Sequence, residues 1–285
     1  MREIVLITNP GSGSAGEADV AELLRAAGAE VEELSIEAAA EDGGVPDCDR
    51  IVVSGGDGSI AVAAEASRAR GVELAVIPTG TANDFAERMG LPADVEEAAE
   101  LATGGERSRA LDLARAGSRA FVNVASLGLS PAAAEAADEL KESLGALAYT
   151  VGAMRAGAQA DPIRCRVECG GDELYEGDAW QVMIGCTGAF GGGSQIDADA
   201  DDGRLDAVVI EGGPRAALAK RAVGLRSGTV EDQKGVHSAR CSAITVELGE
   251  PQELNIDGEL VGSDSLGGSP LEFGVEAQAL RLVVP

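Results

Sequence analysis

The chain has 285 residues, room for two domains of ordinary size, and its 45% hydrophobic content allows a sizeable core. Its net charge of −27, from 49 acidic against 22 basic residues, argues against general nucleic-acid binding. No stretch approaches the ~18 to 20 consecutive apolar residues of a membrane-spanning helix, and Met1-Arg2-Glu3-Ile4 runs straight into a strand, so a cytoplasmic protein is expected.

Residues 1–112 alternate strand and helix. A strand at 3–8 precedes a helix near 17–27, stopped by Gly28. A strand at 30–34 follows, then a Gly/Asp-rich loop to Asp49. Strands at 50–54 and 73–78 alternate with helices near 60–69, 83–89 and 95–102. This order predicts an open parallel α/β sheet. Near residue 112 the pattern changes. Strands at 121–126, 163–169, 180–186, 205–210, 243–248, 253–256 and 279–284 come with two helical interruptions, near 131–157 and 215–226. The expected fold is therefore α/β plus β. Domain 1–112 is a nucleotide-binding unit to which strand 279–285 can return. Domain 113–278 is a mostly antiparallel β-sandwich carrying the acceptor site, with the active site expected in the cleft between them.

Three glycine-rich turns each follow a buried strand in the first domain and precede a helical pattern. They are Asn9-Pro10-Gly11-Ser12-Gly13, Gly55-Gly56-Asp57-Gly58-Ser59 and Gly80-Thr81-Ala82-Asn83-Asp84. Backbone N–H groups at such strand-to-helix turns are suited to phosphate. Gly11 to Gly16 also matches the dinucleotide pattern G-x-G-x-x-G, with Glu32 or Glu33 where a ribose-binding acid would lie. A dehydrogenase explains neither the second turn nor the third, and no Gly-Lys-Ser/Thr of a P-loop follows. In the second turn Asp57 would hold Mg²⁺ or a water and Ser59 would donate to a phosphate oxygen. The plainer alternative is a tight turn with an Asx hydrogen bond. In the third, Thr81 could reach phosphate, while Asn83 or Asp84 could equally be a helix N-cap.

These segments resemble the signatures of the diacylglycerol kinase catalytic-domain family, which includes sphingosine and related lipid kinases and is distantly akin to NAD kinases. Further likeness lies in Asn123 to Gly128, Gly145 to Tyr149, Gly191-Gly192-Gly193, Asp201 to Asp206 and Asp257-Gly258-Glu259. The resemblance implies an ATP-dependent lipid kinase acting on a diacylglycerol-like alcohol at the membrane surface, as a peripheral protein, with a homodimer allowed. It implies ATP phosphates at Asn9, Pro10, Gly11, Ser12 and Gly13 and at Gly55, Gly56, Asp57, Gly58 and Ser59. Thr81 and Asn83 would lie nearby, and Ser35 would sit near the nucleotide. It implies Glu259 as general base with Asp257 beside it near a catalytic Mg²⁺. A second, structural Mg²⁺ would be held by Asp202 and by backbone oxygens of Asp199 and Arg204. An Asp-x-Glu pair in a strand would put Asp257 and Glu259 on one face; the plainer alternative is a solvated hairpin turn.

Two departures stand out. The family continues Gly-Gly-Asp-Gly-Thr-x-Asn-Glu, and here Ser59-Ile60-Ala61-Val62 lacks the Asn-Glu; Cys186 replaces the usual Asn after Gly185. An NAD kinase-like phosphotransferase and a nucleotide-binding protein without catalysis therefore stay open. The five cysteines, with no CxxC pair, read as reduced buried thiols. Only three of the basic residues are Lys, and the dispersed acids suggest a salt-loaded cytoplasm, where screening relieves self-repulsion. His237, the only His, reads as a strand residue. Residues 213–240 hold six basic and two acidic residues, so this segment could meet a membrane surface or a phosphate, or pair with the acidic surface.

Overall fold

The computed structural model describes residues 2–9, 19–41, 43–129, 161–190 and 194–285. The chain divides into two compact units, Met1–Leu113 with Ala277–Pro285, and Ala114–Glu276. The first is a parallel α/β layer and the second is built from antiparallel strands.

In the first unit the strands are β1 (Arg2–Thr8), β2 (Ala29–Ser35), β3 (Arg50–Gly55) and β4 (Glu73–Pro78). Their order is β2-β1-β3-β4, and Leu282 of the last strand, β17 (Leu271–Val283), lies parallel to Leu74 of β4. All six residues of β3 are buried, as expected for a strand covered on both faces. Helices α1 (Val20–Ala26) and α5 (Val95–Gly104) cover the face of Ile4, Leu6, Val52, Ala75 and Ile77. The long α3 (Asp57–Arg70) packs on β3 and β4 through Ile60, Ala63 and Ala64. Short helices α2 (Ile36–Ala39) and α4 (Asp84–Arg88) complete the unit. The buried Arg50 guanidinium donates to the carbonyls of Ala102 (2.7 Å) and Gly105 (2.9 Å) and pairs with Glu73 at 2.6 Å. It thereby ties the end of α5 to the sheet.

The second unit centres on β9 (Asp172–Gly185). One edge of β9 pairs with β8 (Ile163–Cys169) along its first half and β7 (Val124–Gly128) along its second. The other edge pairs with β12 (Leu205–Glu211). β13 (Val236–Cys241) follows β12, while β14 (Ala243–Leu248) lies between β8 and the start of β17. β15 (Glu253–Ile256) pairs with β7 and with β16 (Glu259–Gly262). Along β9, alternation sends Val182 and Ile184 to one apolar cluster and Met183 to another, and Trp180 joins Met183 because the register with β12 shifts between Gln181 and Ala179. Helix α6 (Leu218–Ser227) lays Leu218 and Leu225 on the second of these.

Several expectations change here. The strand expected at 121–126 is broken into β6 (Arg119–Phe121) and β7 at Val122-Asn123. Strand β5 (Ser108–Ala116) was not foreseen. Cys169, at the end of β8, and Cys241, at the end of β13, form a disulfide in place of two reduced thiols; Cys48, Cys165 and Cys186 take no part in a disulfide. His237 lies in β13, with Nε2 3.4 Å from Glu211. The helix expected near 131–157, the first turn from Pro10 through Gly13, the segment Gly145 to Tyr149 and Gly191 to Gly193 lie outside the described residues. Among the described residues, no helix is long and apolar enough to cross a membrane.

Candidate functional site

In the first unit the order β2-β1-β3-β4 reverses direction between β1 and β3. Such a switch point is where open parallel sheets receive ligands, at the carboxyl ends of the strands. Asn9 leaves β1 there, and Gly55-Gly56 leave β3 there. Gly56 is the N-cap of α3 and brings no side chain to cap it, so this fourteen-residue helix begins with bare backbone at the switch point.

The second and third turns are packed backbone to backbone. The Thr79 N–H donates to the Gly55 carbonyl at 3.1 Å, and the Ser54 and Thr79 hydroxyls lie 3.3 Å apart. A Cβ at Gly80 would stand 2.5 Å from the Gly56 Cα, so the third turn admits no side chain where it meets the second, while one at Gly56 would lie a tight 3.3 Å from the Gly80 Cα. Asn83, with φ of 54°, closes its own turn. Its Oδ1 accepts the Gly80 N–H and its Nδ2 donates to the Gly80 carbonyl, both at 2.9 Å. The N-cap role expected of Asn83 or Asp84 is taken instead by Asp57, whose carboxylate accepts the N–H groups of Asp84 (3.2 Å) and Phe85 (2.9 Å). Asp57 is thus a strut between two phosphate-type turns. Ser59 is buried in the first turn of α3, its side chain facing Gly55, while Thr81 is exposed. Ser35 ends β2 and caps α2 by accepting the Ala38 N–H at 3.3 Å.

In the second unit Asp257 and Glu259 do not share a strand face. Ile256 pairs with Glu259, leaving Asp257-Gly258 as the two-residue turn of the β15–β16 hairpin, with φ of 48° and 92°. An Asp-Gly pair with both φ positive fits the right-handed twist of a tight hairpin. The turn aims Asp257 inward, where it is 9% exposed and accepts N–H groups from Val122 (2.7 Å), Asn123 (2.9 Å) and Val124 (3.1 Å). That accounts for the break between β6 and β7, because the ladder donors there serve a carboxylate. Thr187 Oγ1 donates to Asn123 Oδ1 at 2.6 Å, and the Cys186 N–H donates to the Asn123 carbonyl at 2.8 Å, closing a buried polar hub. Glu259, its side chain 55% exposed, stands outside this hub and pairs with Arg119.

The loop before β12 holds the residues expected at a structural Mg²⁺. Asp202 Oδ1 accepts the Arg204 N–H at 2.9 Å, and Asp199 and Arg204 are exposed. Arg240 bridges this loop, 2.6 Å from Asp206 and 3.6 Å from Asp202. Burial pushes the Asp206 carboxyl up to about 6, outweighing the opposite pull of Arg240; Asp202 and Glu231 add to the rise. Asp206 Oδ2 is buried without a hydrogen-bond partner. One buried carboxylate oxygen with unmet acceptor capacity, on Asp206 beside Asp202, suits a hard cation at this loop. The acids expected at the catalytic Mg²⁺ differ. Asp57 and Asp257 each engage backbone N–H groups through both oxygens. No cluster of three or more His, Cys, Asp or Glu for a metal ion exists among the described residues.

Sequence reasoning missed three participants in this geometry: Arg119, Thr187 and the strut role of Asp57. No spacing links position 187 to 123 or 119 to 259, since the sheet register alone joins them.

Known proteins repeat this two-part layout. The model of the diacylglycerol kinase catalytic domain matches residues 3–116, and that of the YegS C-terminal NAD kinase beta sandwich-like domain matches residues 123–284. The chain belongs to the diacylglycerol kinase family. Among its relatives in that family is a Pseudomonas aeruginosa protein named probable lipid kinase YegS-like. It is 33% identical over 244 residues, covering 82% of this chain and 76% of the relative. The diacylglycerol kinase of Bacillus subtilis is 29% identical over 231 residues, covering 79% and 75%. A crystal structure of a diacylglycerol kinase from Bacillus anthracis shares the fold, with a TM-score of 0.78 over 100% of this chain and 97% of that one, at 24% identity.

Proposed function

We propose that the protein is an ATP-dependent lipid kinase that phosphorylates the hydroxyl of a diacylglycerol-like alcohol. The observation that carries this reading is the family match across both units, 3–116 and 123–284. The switch-point geometry supports it, with two glycine turns held together by Asp57 and an uncapped helix start beside them.

Phosphoryl transfer asks the protein for positioning and charge neutralisation more than for covalent chemistry. The N–H groups at the ends of β1 and β3 hold the phosphates of ATP. Glu259, exposed and carried on a hairpin fastened by Asp257, accepts the proton of the acceptor hydroxyl. The lipid oxygen bonds to the γ-phosphorus as the bond to the bridging oxygen of ADP breaks. A divalent ion bound with ATP would neutralise phosphate charge. No step is assigned to Asp57 or Asp257 as its ligands, because both serve the backbone. Asp202 and Asp206 would hold a second ion that steadies the loop before β12.

The deciding experiment is transfer of labelled phosphate from ATP to a panel of lipid alcohols, with Glu259→Gln alongside. The variant should keep ATP binding and lower kcat by about 10²-fold or more, the scale of a lost general base. Turnover at the wild-type rate would place the base elsewhere. A second reading, nucleotide binding without transfer, is favoured by Ala61 and Val62, which stand on α3 where the family has Asn-Glu. ATP binding with no labelled lipid from any acceptor would select it. Assays belong in KCl, because a charge of −27 needs screening. The thermal midpoint should rise between ~0.1 M and ~2 M KCl as the Debye length falls from ~10 Å to a few Å. A flat curve would remove the salt-adapted reading.

A further inference from the structure

We propose that the outer face of α6, with Lys220, Val223 and Arg226, together with Lys234, docks the protein on an anionic lipid bilayer. The proposal rests on the lipid kinase reading and names the surface from which the acceptor is taken.

Charge is distributed unevenly in this chain. The whole carries −27, yet residues 213–240 hold six Lys/Arg and two acids. Lysine is nearly absent, with three in 285 residues, and two of the three are Lys220 and Lys234. The basic residues of the segment divide into two groups. Arg215 pairs with Asp161 at 3.1 Å and lies over the Trp180 ring; Arg221 donates to Gln233 and to the Lys234 carbonyl; Arg240 is held by Asp206. These three are structural. Lys220, Arg226 and Lys234 are exposed and make no ion pair among the described residues. The acidic surface therefore does not consume them.

The apolar component is equally specific. Val223 is 68% exposed, against 38% for Leu260, the other exposed large hydrophobic residue among those described. Positions 220, 223 and 226 follow helical spacing, so Val223 projects between two cations on one face. Leu218 and Leu225 on the opposite face pack against the cluster of Trp180, Val208 and Ile210, which fixes the direction in which the outer face looks. Gln233 Nε2 donates to the Lys220 carbonyl at 3.2 Å and ties the loop bearing Lys234 to the helix. An aliphatic side chain flanked by long cationic ones suits the boundary between headgroups and acyl chains, where ammonium and guanidinium groups stay with phosphate. A nucleic acid would meet the cations but not the Val, and the acidic remainder of the chain would repel an extended polyanion.

The test is sedimentation with vesicles, at the lowest KCl that keeps the protein folded. Vesicles of phosphatidylcholine alone are compared with an equal mixture of phosphatidylcholine and phosphatidylglycerol. Binding should favour the mixture by about tenfold or more and weaken as KCl rises. The triple variant Lys220→Gln, Arg226→Gln, Lys234→Gln should lose that preference, and Val223→Ser should weaken binding to the mixture by a few-fold. Both variants should keep the wild-type thermal midpoint and the wild-type rate on diacylglycerol dispersed in uncharged detergent. Equal binding to both vesicles, or a triple variant that binds the mixture as the wild type does, overturns the proposal. So does a patch that instead retains single-stranded DNA, or one whose substitution abolishes self-association. Failure of the lipid kinase reading looks different: no transfer to any detergent-dispersed lipid, with vesicle binding and its loss in the variants unaffected.

Discussion

The turn at Asp57 and the turn at Asp257 invite comparison because both place an acid directly before a glycine. In both, the carboxylate accepts backbone N–H groups of a neighbouring segment: two for Asp57, three for Asp257. They differ in what the fastening leaves free. Asp57, half-buried, joins two loops whose own backbone forms the candidate phosphate cradle. Asp257, buried, fastens a hairpin whose next residue, Glu259, is left exposed. On the proposed reading, the first unit offers main-chain dipoles to phosphate, and the second offers a side chain to the acceptor. An acid beside a glycine can thus hold neighbouring segments in place through their backbone N–H groups and stay out of any chemistry itself.

The comparison breaks most readily at Asp257. Replacement by Ala leaves three buried N–H groups without an acceptor and puts a Cβ-bearing residue without a local hydrogen bond at positive φ. The expected loss is about 3 kcal/mol or more in denaturant unfolding. Asp257→Asn keeps one acceptor oxygen and tolerates that φ, so it should lose about half as much. A stable Asp257→Ala whose only defect is in metal dependence would restore the metal-ligand role.

Gly80→Ala comes next. Its methyl group meets the Gly56 backbone, and moving two turns apart should cost about 2 kcal/mol while weakening ATP binding. Unchanged ATP affinity would show that the contact between the turns does not shape the nucleotide site. Asp57→Ala removes a cap supplied from another element and should cost about 1 kcal/mol, with transfer falling more steeply than stability. If calorimetry registers no loss of stability, Asp57 is not a strut.

The last effect, read in metal-free buffer, concerns the carboxylate that is not saturated. Burial holds the Asp206 carboxyl at about 6, against about 3.9 in an unfolded chain. Between those values the folded protein keeps a proton that the unfolded chain releases. Asp206 therefore favours folding at the acid end, and its contribution falls as pH rises from about 4 to about 6. Asp206→Asn should flatten that part of the stability profile. An unchanged slope would assign the fall to another group.

Much of the fold was legible because its signals are local. Glu73–Pro78 shows its strand through an apolar run, and Ile163–Cys169, Ala243–Leu248 and Glu253–Ile256 show theirs through apolar/polar alternation. The break at Val122-Asn123 was not legible, because the acceptor that ends the ladder lies about 135 residues later in sequence. The Asp257-Gly258 hairpin was legible in its dipeptide but lost to the family motif read through it. The disulfide was hidden because Cys169 and Cys241 are 72 residues apart, and only the register of β8 and β14 brings them together.

The final strand sets a timetable for synthesis. Residues 277–285 belong with the first unit, where Leu282 lies beside Leu74. A ribosome that has finished residue 113 has therefore not supplied the strand that flanks β4. At about 5 to 20 residues per second, that edge waits roughly ten to thirty seconds while the second unit is made. During this interval β4 presents an unpaired edge in the middle of a nascent chain, a point at which a chaperone would be most needed and a stalled ribosome most damaging.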